Sequence, residues 1–102
     1  MSEVMVREVA GMKLAFPTPS PEVRDGMGVT VADGCGQKIF GRDVKGGDIA
    51  FFSREADIVG LVSFDKDGLA THFNGVDIQG EKKPLSRSLR HRGREIRVVV
   101  IA

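Results

Sequence analysis

The sequence predicts an all-β protein, a β-sandwich of short antiparallel strands folded as one domain over residues 1–102. Three observations carry that reading. Apolar, β-branched runs are short and regularly spaced, with a turn signal between successive runs. No stretch repeats its apolar residues at the 3.6-residue period of an amphipathic helix. The 13 glycines supply turns at a density that suits strands and hairpins rather than helices.

The elements follow in order. Residues 4–16, V-M-V-R-E-V-A-G-M-K-L-A-F, predict one or two strands broken near Gly11. Pro17-Thr18-Pro19-Ser20-Pro21 forces an extended, polyproline-like path, so 17–27 is expected to be a stiff connector inside the domain. Val29 to Ala32 is a strand, and Asp33-Gly34 a turn. Gln37 to Phe40 forms the next strand, ending at Gly41-Arg42, and Asp43 to Gly47 turns. Ile49 to Phe52 is apolar at every position, which predicts a strand covered on both faces; Ile58 to Phe64 reads the same way apart from Ser63. Asp65 to Gly68 is a hairpin turn into Leu69–Phe73, and Asn74-Gly75 turns into Val76–Ile78. The closing strand is Glu95 to Ala102, with Ile96, Val98 and Val100 on one face and Val99 and Ile101 on the other. Left unpaired it would be a sticky edge, so an N-terminal strand is its expected partner.

Composition narrows the function classes. With 41% apolar and 28% charged residues the chain is neither disordered nor membrane-like, and 102 residues can bury roughly two thirds of their unfolded surface without staples. A net charge of +1 gives no global attraction to nucleic acid or lipid. No apolar run approaches the roughly 20 residues that span a bilayer, and Glu3, Arg7, Glu8 and Lys13 break any signal-peptide pattern. Cys35 is the single cysteine, so no intrachain disulfide forms. A cytoplasmic protein is expected.

Catalytic and metal motifs are lacking. Asp65-x-Asp67-Gly68 begins like a calcium loop, but Val76 stands where its closing glutamate would fall. His72 and His91 have no metal-ligand spacing, and no nucleophile elbow or phosphate-cradling glycine loop is present. Neither an enzyme nor a cofactor is expected. The strongest charge asymmetry is Lys82, Lys83, Arg87, Arg90, Arg92, Arg94 and Arg97, which reads as a solvated face or as a surface for an anionic partner such as nucleic acid. No aromatic residue is interleaved with it, which disfavours single-strand binding.

Arg42, Ser53, Arg54 and Asn74 make a coherent set if their loops meet. Arginine offers a rigid fork to phosphate, serine a short donor, and asparagine a donor and acceptor for a ligand's main chain. Gly41 and Gly75 shape the turns beside them.

From residue 37 onward the order of motifs resembles a forkhead-associated (FHA) domain: I-F-G-R at 39–42, S-R-E-A at 53–56, F-N-G at 73–75 and L-R-H-R-G-R-E-I at 89–96. The resemblance implies an FHA-like sandwich that recognises phosphothreonine peptides. In it Gly41 would shape the first loop, Arg42 and Ser53 would grip phosphate, Arg54 would add charge, and Asn74 would bond the peptide backbone over Gly75. The family's histidine after Ser-Arg falls here on Ala56, and the stretch from Arg42 to Ser53 is shorter than the family's. The expected function is a non-enzymatic protein-interaction module with a protein partner phosphorylated on threonine. The alternatives are a small assembly subunit, as in a phage particle or secretion machine, and a nucleic-acid binder using residues 82–97.

Overall fold

The computed structural model describes residues 3–81 and 87–101, and all regular structure among them is β. The strands are β1 (Val4–Val9), β2 (Met12–Pro17), β3 (Met27–Asp33), β4 (Lys38–Ile39), β5 (Arg42–Asp43), β6 (Ile49–Phe52), β7 (Ile58–Phe64), β8 (Ala70–Phe73), β9 (Val76–Asp77), β10 (Ser88–His91), β11 (Arg94–Arg97) and β12 (Val99–Val100). An 8-stranded sheet runs β1-β2-β3-β6-β7-β8-β9, with β12 attached to β3. The hairpins β4–β5 and β10–β11 stand apart from it as two-stranded sheets.

Tight X-Gly turns connect much of this meander. Ala10-Gly11, Phe40-Gly41, Asn74-Gly75 and Arg92-Gly93 each join two paired strands, and both residues of each pair have positive φ. That is the type I′ pattern, whose twist matches the flanking strands. Asp65 closes the longer β7–β8 turn by accepting the N–H groups of Asp67 and Leu69 on Oδ1, each at 2.9 Å.

The sheet buries both faces, as the uniformly apolar β6 requires. Ala50 and Phe52 join Met12, Leu14, Phe16, Met27, Val29, Val31 and Leu61 in one core, capped by Val44 beyond the β4–β5 hairpin, with Ile39 and Val23 packed against it. Ile49 and Phe51 join Val62, Phe73 and Val98 in the other, capped by Leu89 and Ile96 of β10–β11. Phe51 fits because its cross-strand neighbours are Gly28 and Gly60. A Cβ at Gly28 would come within 2.5 Å of the Phe51 ring, and one at Gly60 within 2.8 Å of Leu89.

Three expectations are corrected. The closing strand is not continuous: Arg94–Arg97 turns back on β10, and only Val99–Val100 enters the main sheet. Its partner is β3, in parallel, not an N-terminal strand. β2 and β12 share one edge of β3, because β2 pairs with Thr30, Val31 and Asp33 while β12 pairs with Met27 and Gly28. Among the described residues no strand pairs with the outer side of β1, which is an open edge. The strand expected over Gln37 to Phe40 is also shorter, since Phe40-Gly41 is itself a hairpin turn.

Candidate functional site

The β4–β5 hairpin carries the first part of the candidate site. Arg42 is exposed at the start of β5, next to Gly41. Lys38, Gly41, Arg42, Asp43 and Lys45 line an open depression of about 220 Å³. Behind it lies Asp48, buried at 3% exposure, whose Oδ2 accepts the Lys45 N–H at 3.0 Å. Burial pushes the Asp48 carboxyl above its ordinary range, while backbone N–H groups of Lys45 and Phe64 and the charges of Lys45 and Arg42 act the other way.

The hairpin tip meets the β8–β9 turn. A Cβ at Gly75 would lie 2.2 Å from the Phe40 carbonyl oxygen, so only glycine permits this approach. Phe40 is 42% exposed and Val76 67% exposed, which leaves one large apolar side chain on the surface at the hairpin tip and another just after the β8–β9 turn. The structure thus sets the Phe40-Gly41 turn against Gly75.

Asn74 and Ser53 do other work. Asn74 turns inward: Oδ1 accepts the Leu61 N–H at 2.7 Å and Nδ2 donates to the Val59 carbonyl at 3.4 Å. It holds this chain's own backbone, not a ligand's. Ser53 is 0% exposed. Its Oγ accepts the Asp57 N–H at 3.2 Å. The expected phosphate grip by Ser53 is therefore corrected: the hydroxyl is sealed inside the β6–β7 turn. Ala56 sits in the same turn at φ 63°, with its N–H bonded to the Ser53 carbonyl at 2.9 Å.

Arg54 belongs to a charge network that latches the β10–β11 hairpin. Its N–H donates to Asp25 Oδ1 at 2.6 Å, and its Nε lies 3.2 Å from Glu55. Arg94 bonds Asp25 and forks onto both Glu55 oxygens at 2.9 and 2.7 Å. Asp57 receives His91 Nε2 at 3.1 Å and Arg92 at 3.4 Å. Glu55, Asp57 and His91 bring one ligand atom each to within 4.8 Å of one another. A metal ion there would have to displace arginines that already balance both carboxylates, so the cluster reads as an ion-pair latch.

The basic run is largely spent in the same way. Arg92 and Arg94 are in the latch, and Arg87 pairs with Glu81 and lies over the Phe73 ring. Arg90 and Arg97 remain exposed without an ion pair among the described residues. Lys82 and Lys83 lie outside the described residues. His72 bonds Thr71 through Nδ1, and Cys35 is exposed in its own turn.

Lys38, Lys45, Phe40 and Val76 were not legible as site residues. The available signal was the placement of cations on both sides of a Phe-Gly turn, which a strand drawn through Phe40 conceals. Comparison with known proteins gives no bearing on family: no family model, no curated protein and no solved structure matches this chain.

Proposed function

We propose that this chain is a non-enzymatic protein-interaction module that takes an anionic peptide on the β4–β5 hairpin and the adjoining β8–β9 turn. The observation that supports this reading is the grouping of Lys38, Arg42 and Lys45 around one open depression, on a hairpin whose tip carries exposed Phe40 and meets the turn leading into exposed Val76. Cations supply charge-assisted bonds to the anion, and the two apolar side chains offer area to its flanking residues. Phosphate on threonine is the anion that the FHA resemblance implies. In this reading Arg42 keeps the role the resemblance gives it, while Lys38 and Lys45 replace Ser53 and Asn74.

A second reading, a small assembly subunit, is favoured by the open edge of β1. Nucleic-acid binding through 82–97 is disfavoured by the pairing of Arg87, Arg92 and Arg94 with carboxylates. The test is titration of the ¹⁵N-labelled protein with a phosphothreonine peptide library and its unphosphorylated counterpart. The amides of residues 38–45 and 74–76 are expected to shift with the phosphorylated peptides alone. If they stay still while other amides move, or if nothing moves, the reading falls.

A further inference from the structure

We propose that the open edge of β1 is a dimerisation edge, pairing antiparallel with β1 of a second copy about a twofold axis at Met5. The inference is independent of whether the β4–β5 hairpin takes an anion.

β1 has few of the features that usually protect an edge. It is six residues long, contains no proline and runs against β2 in unbroken register. Val4 is 66% exposed, Met5 44% and Val6 56%, a consecutive apolar triplet. The opposite end of the sheet, by contrast, is the two-residue β9.

The backbone phase fixes which groups face outward. The two-residue Ala10-Gly11 turn makes Val9 and Met12 a hydrogen-bonded pair, so Arg7 and Met5 also exchange their bonds with β2. Val4, Val6 and Glu8 therefore aim their N–H and C=O groups at the open edge. Two details agree with this phase: Thr18 donates its N–H inward to the Glu3 carbonyl, and Pro17, which has no N–H, stands opposite Val4. An antiparallel twofold must match outward residues with outward residues, so the axis passes through a residue and not between two.

Charge then selects the residue. An axis at Met5 sets Val4 opposite Val6 of the second copy as a hydrogen-bonded pair, and Glu3 opposite Arg7 twice over. An axis at Arg7 places that cation against itself. Axes at Val6 or Val4 set Met5 opposite Arg7 or Glu3, an apolar chain against a charge. Among the described residues neither Glu3 nor Arg7 has an ion pair. Arg7 donates only to Ser20 Oγ and the Pro21 carbonyl and lies 4.4 Å above the Phe16 ring centroid. The dimer thus supplies the one partner class that both lack, and opposite charges directly across a strand pair are favourable. The other face gains a valine ladder, Val4 and Val6 from each copy.

Sedimentation velocity decides it. A single strand pair lies at the small end of interface sizes, so the wild-type mass should rise from monomer to dimer between about 10 and 500 µM. Val6→Pro removes an outward N–H and leaves the β2 ladder intact; Met5→Lys puts like charges at the axis. Both are expected to remain monomeric throughout. Glu3→Lys should weaken dimerisation about tenfold, through two lost cross-strand pairs. In a Cys35→Ser background, Met5→Cys should oxidise to a disulfide-linked dimer, because residues at the axis face each other. Val4→Cys should not, since its two copies sit about 7–8 Å apart on the diagonal. A wild type that stays monomeric, a dimer indifferent to Val6→Pro, or equal cross-linking of the two cysteine variants would each overturn the proposal. If a proline or lysine variant fails to fold, the cysteine comparison decides alone.

Discussion

Asn74 and Leu61 exchange two hydrogen bonds: the Asn74 N–H donates to the Leu61 carbonyl at 2.8 Å, and the Asn74 side chain accepts the Leu61 N–H at 2.7 Å. This reproduces a ladder pair of an antiparallel sheet, with a side-chain oxygen standing where a backbone carbonyl would be. The β7–β8 ladder thereby continues while the chain has already turned toward β9. Asparagine suits the position twice, because it also tolerates the φ of 50° found there.

Asn74→Ala should destabilise the fold by about 2–3 kcal/mol. It strands the buried Leu61 N–H, worth about 1–3 kcal/mol, and places a Cβ residue without local compensation at positive φ. Asn74→Asp, which retains the acceptor, should lose less. Urea unfolding checks this: the midpoint should fall while the slope is unchanged. A loss of peptide binding at full stability would mean instead that Asn74 serves a ligand.

Gly75→Ala should be worse than Gly41→Ala. Both glycines have positive φ, 79° and 77°. Only at Gly75 does an added Cβ meet a backbone atom, the Phe40 oxygen at 2.2 Å; at Gly41 nothing lies within 4 Å. Gly41→Ala is expected to lose about 1 kcal/mol from backbone strain alone. Gly75→Ala should lose about 3 kcal/mol and separate the hairpin tip from the β8–β9 turn. Thermal unfolding of the two variants side by side gives the comparison.

What the sequence revealed follows from which forces act locally. The turns at Asn74-Gly75 and Asp65–Gly68 and the double burial of β6 were legible, because turn chemistry and the apolar pattern are written in adjacent residues. Phe40-Gly41 and Arg92-Gly93 are the same kind of turn, but one followed an apolar run and the other sat in a basic run, so neither stood out. Ser53 looked like an exposed donor because its burial depends on how 54–57 folds back over it. The break at Val98 was hidden because Ile96, Val98 and Val100 alternate correctly across it. Pairing of β12 with β3 is a choice of partner, which no local pattern specifies.

The Glu55 latch predicts a pH dependence. Desolvation pushes the Glu55 carboxyl up, but hydrogen bonds from the Ser53 hydroxyl, its own backbone and Arg54, with the Arg94 charge, outweigh it and hold the group down at about 2 instead of 4.5. A carboxyl lowered on folding lends stability that is complete above the unfolded value and lost as pH falls through the folded one. The latch should therefore weaken between about 4.5 and about 2. Asp48 is raised from 3.8, so its contribution has the opposite sign and declines as pH rises. The difference in melting temperature between wild type and Glu55→Gln isolates the first effect. It should be largest at neutral pH and vanish near pH 2; a difference that does not change with pH would rule the latch out as its source.

Binding and stability should separate at Arg42 and Ser53, and this distinguishes the hairpin surface from a grip built as in the FHA pattern. Arg42 is exposed and its guanidinium is free to meet an anion, whereas Ser53 is fully buried and its Oγ accepts the Asp57 N–H. Arg42→Ala should weaken a phosphopeptide by about 10- to 100-fold, the equivalent of one charge-assisted contact of roughly 1.5–3 kcal/mol. Arg42→Lys should recover only part, since an ammonium cannot fork onto two oxygens. Ser53→Ala should leave affinity within about twofold while costing about 1–3 kcal/mol of stability, because the Asp57 N–H loses its acceptor. Removing the Arg42 charge also deepens the burial penalty on Asp48, so its stability must be measured alongside. Isothermal titration with one phosphothreonine peptide, paired with urea unfolding of each variant, reads both quantities. Equal affinity losses at Arg42 and Ser53 would point back to the family's grip and away from Lys38 and Lys45.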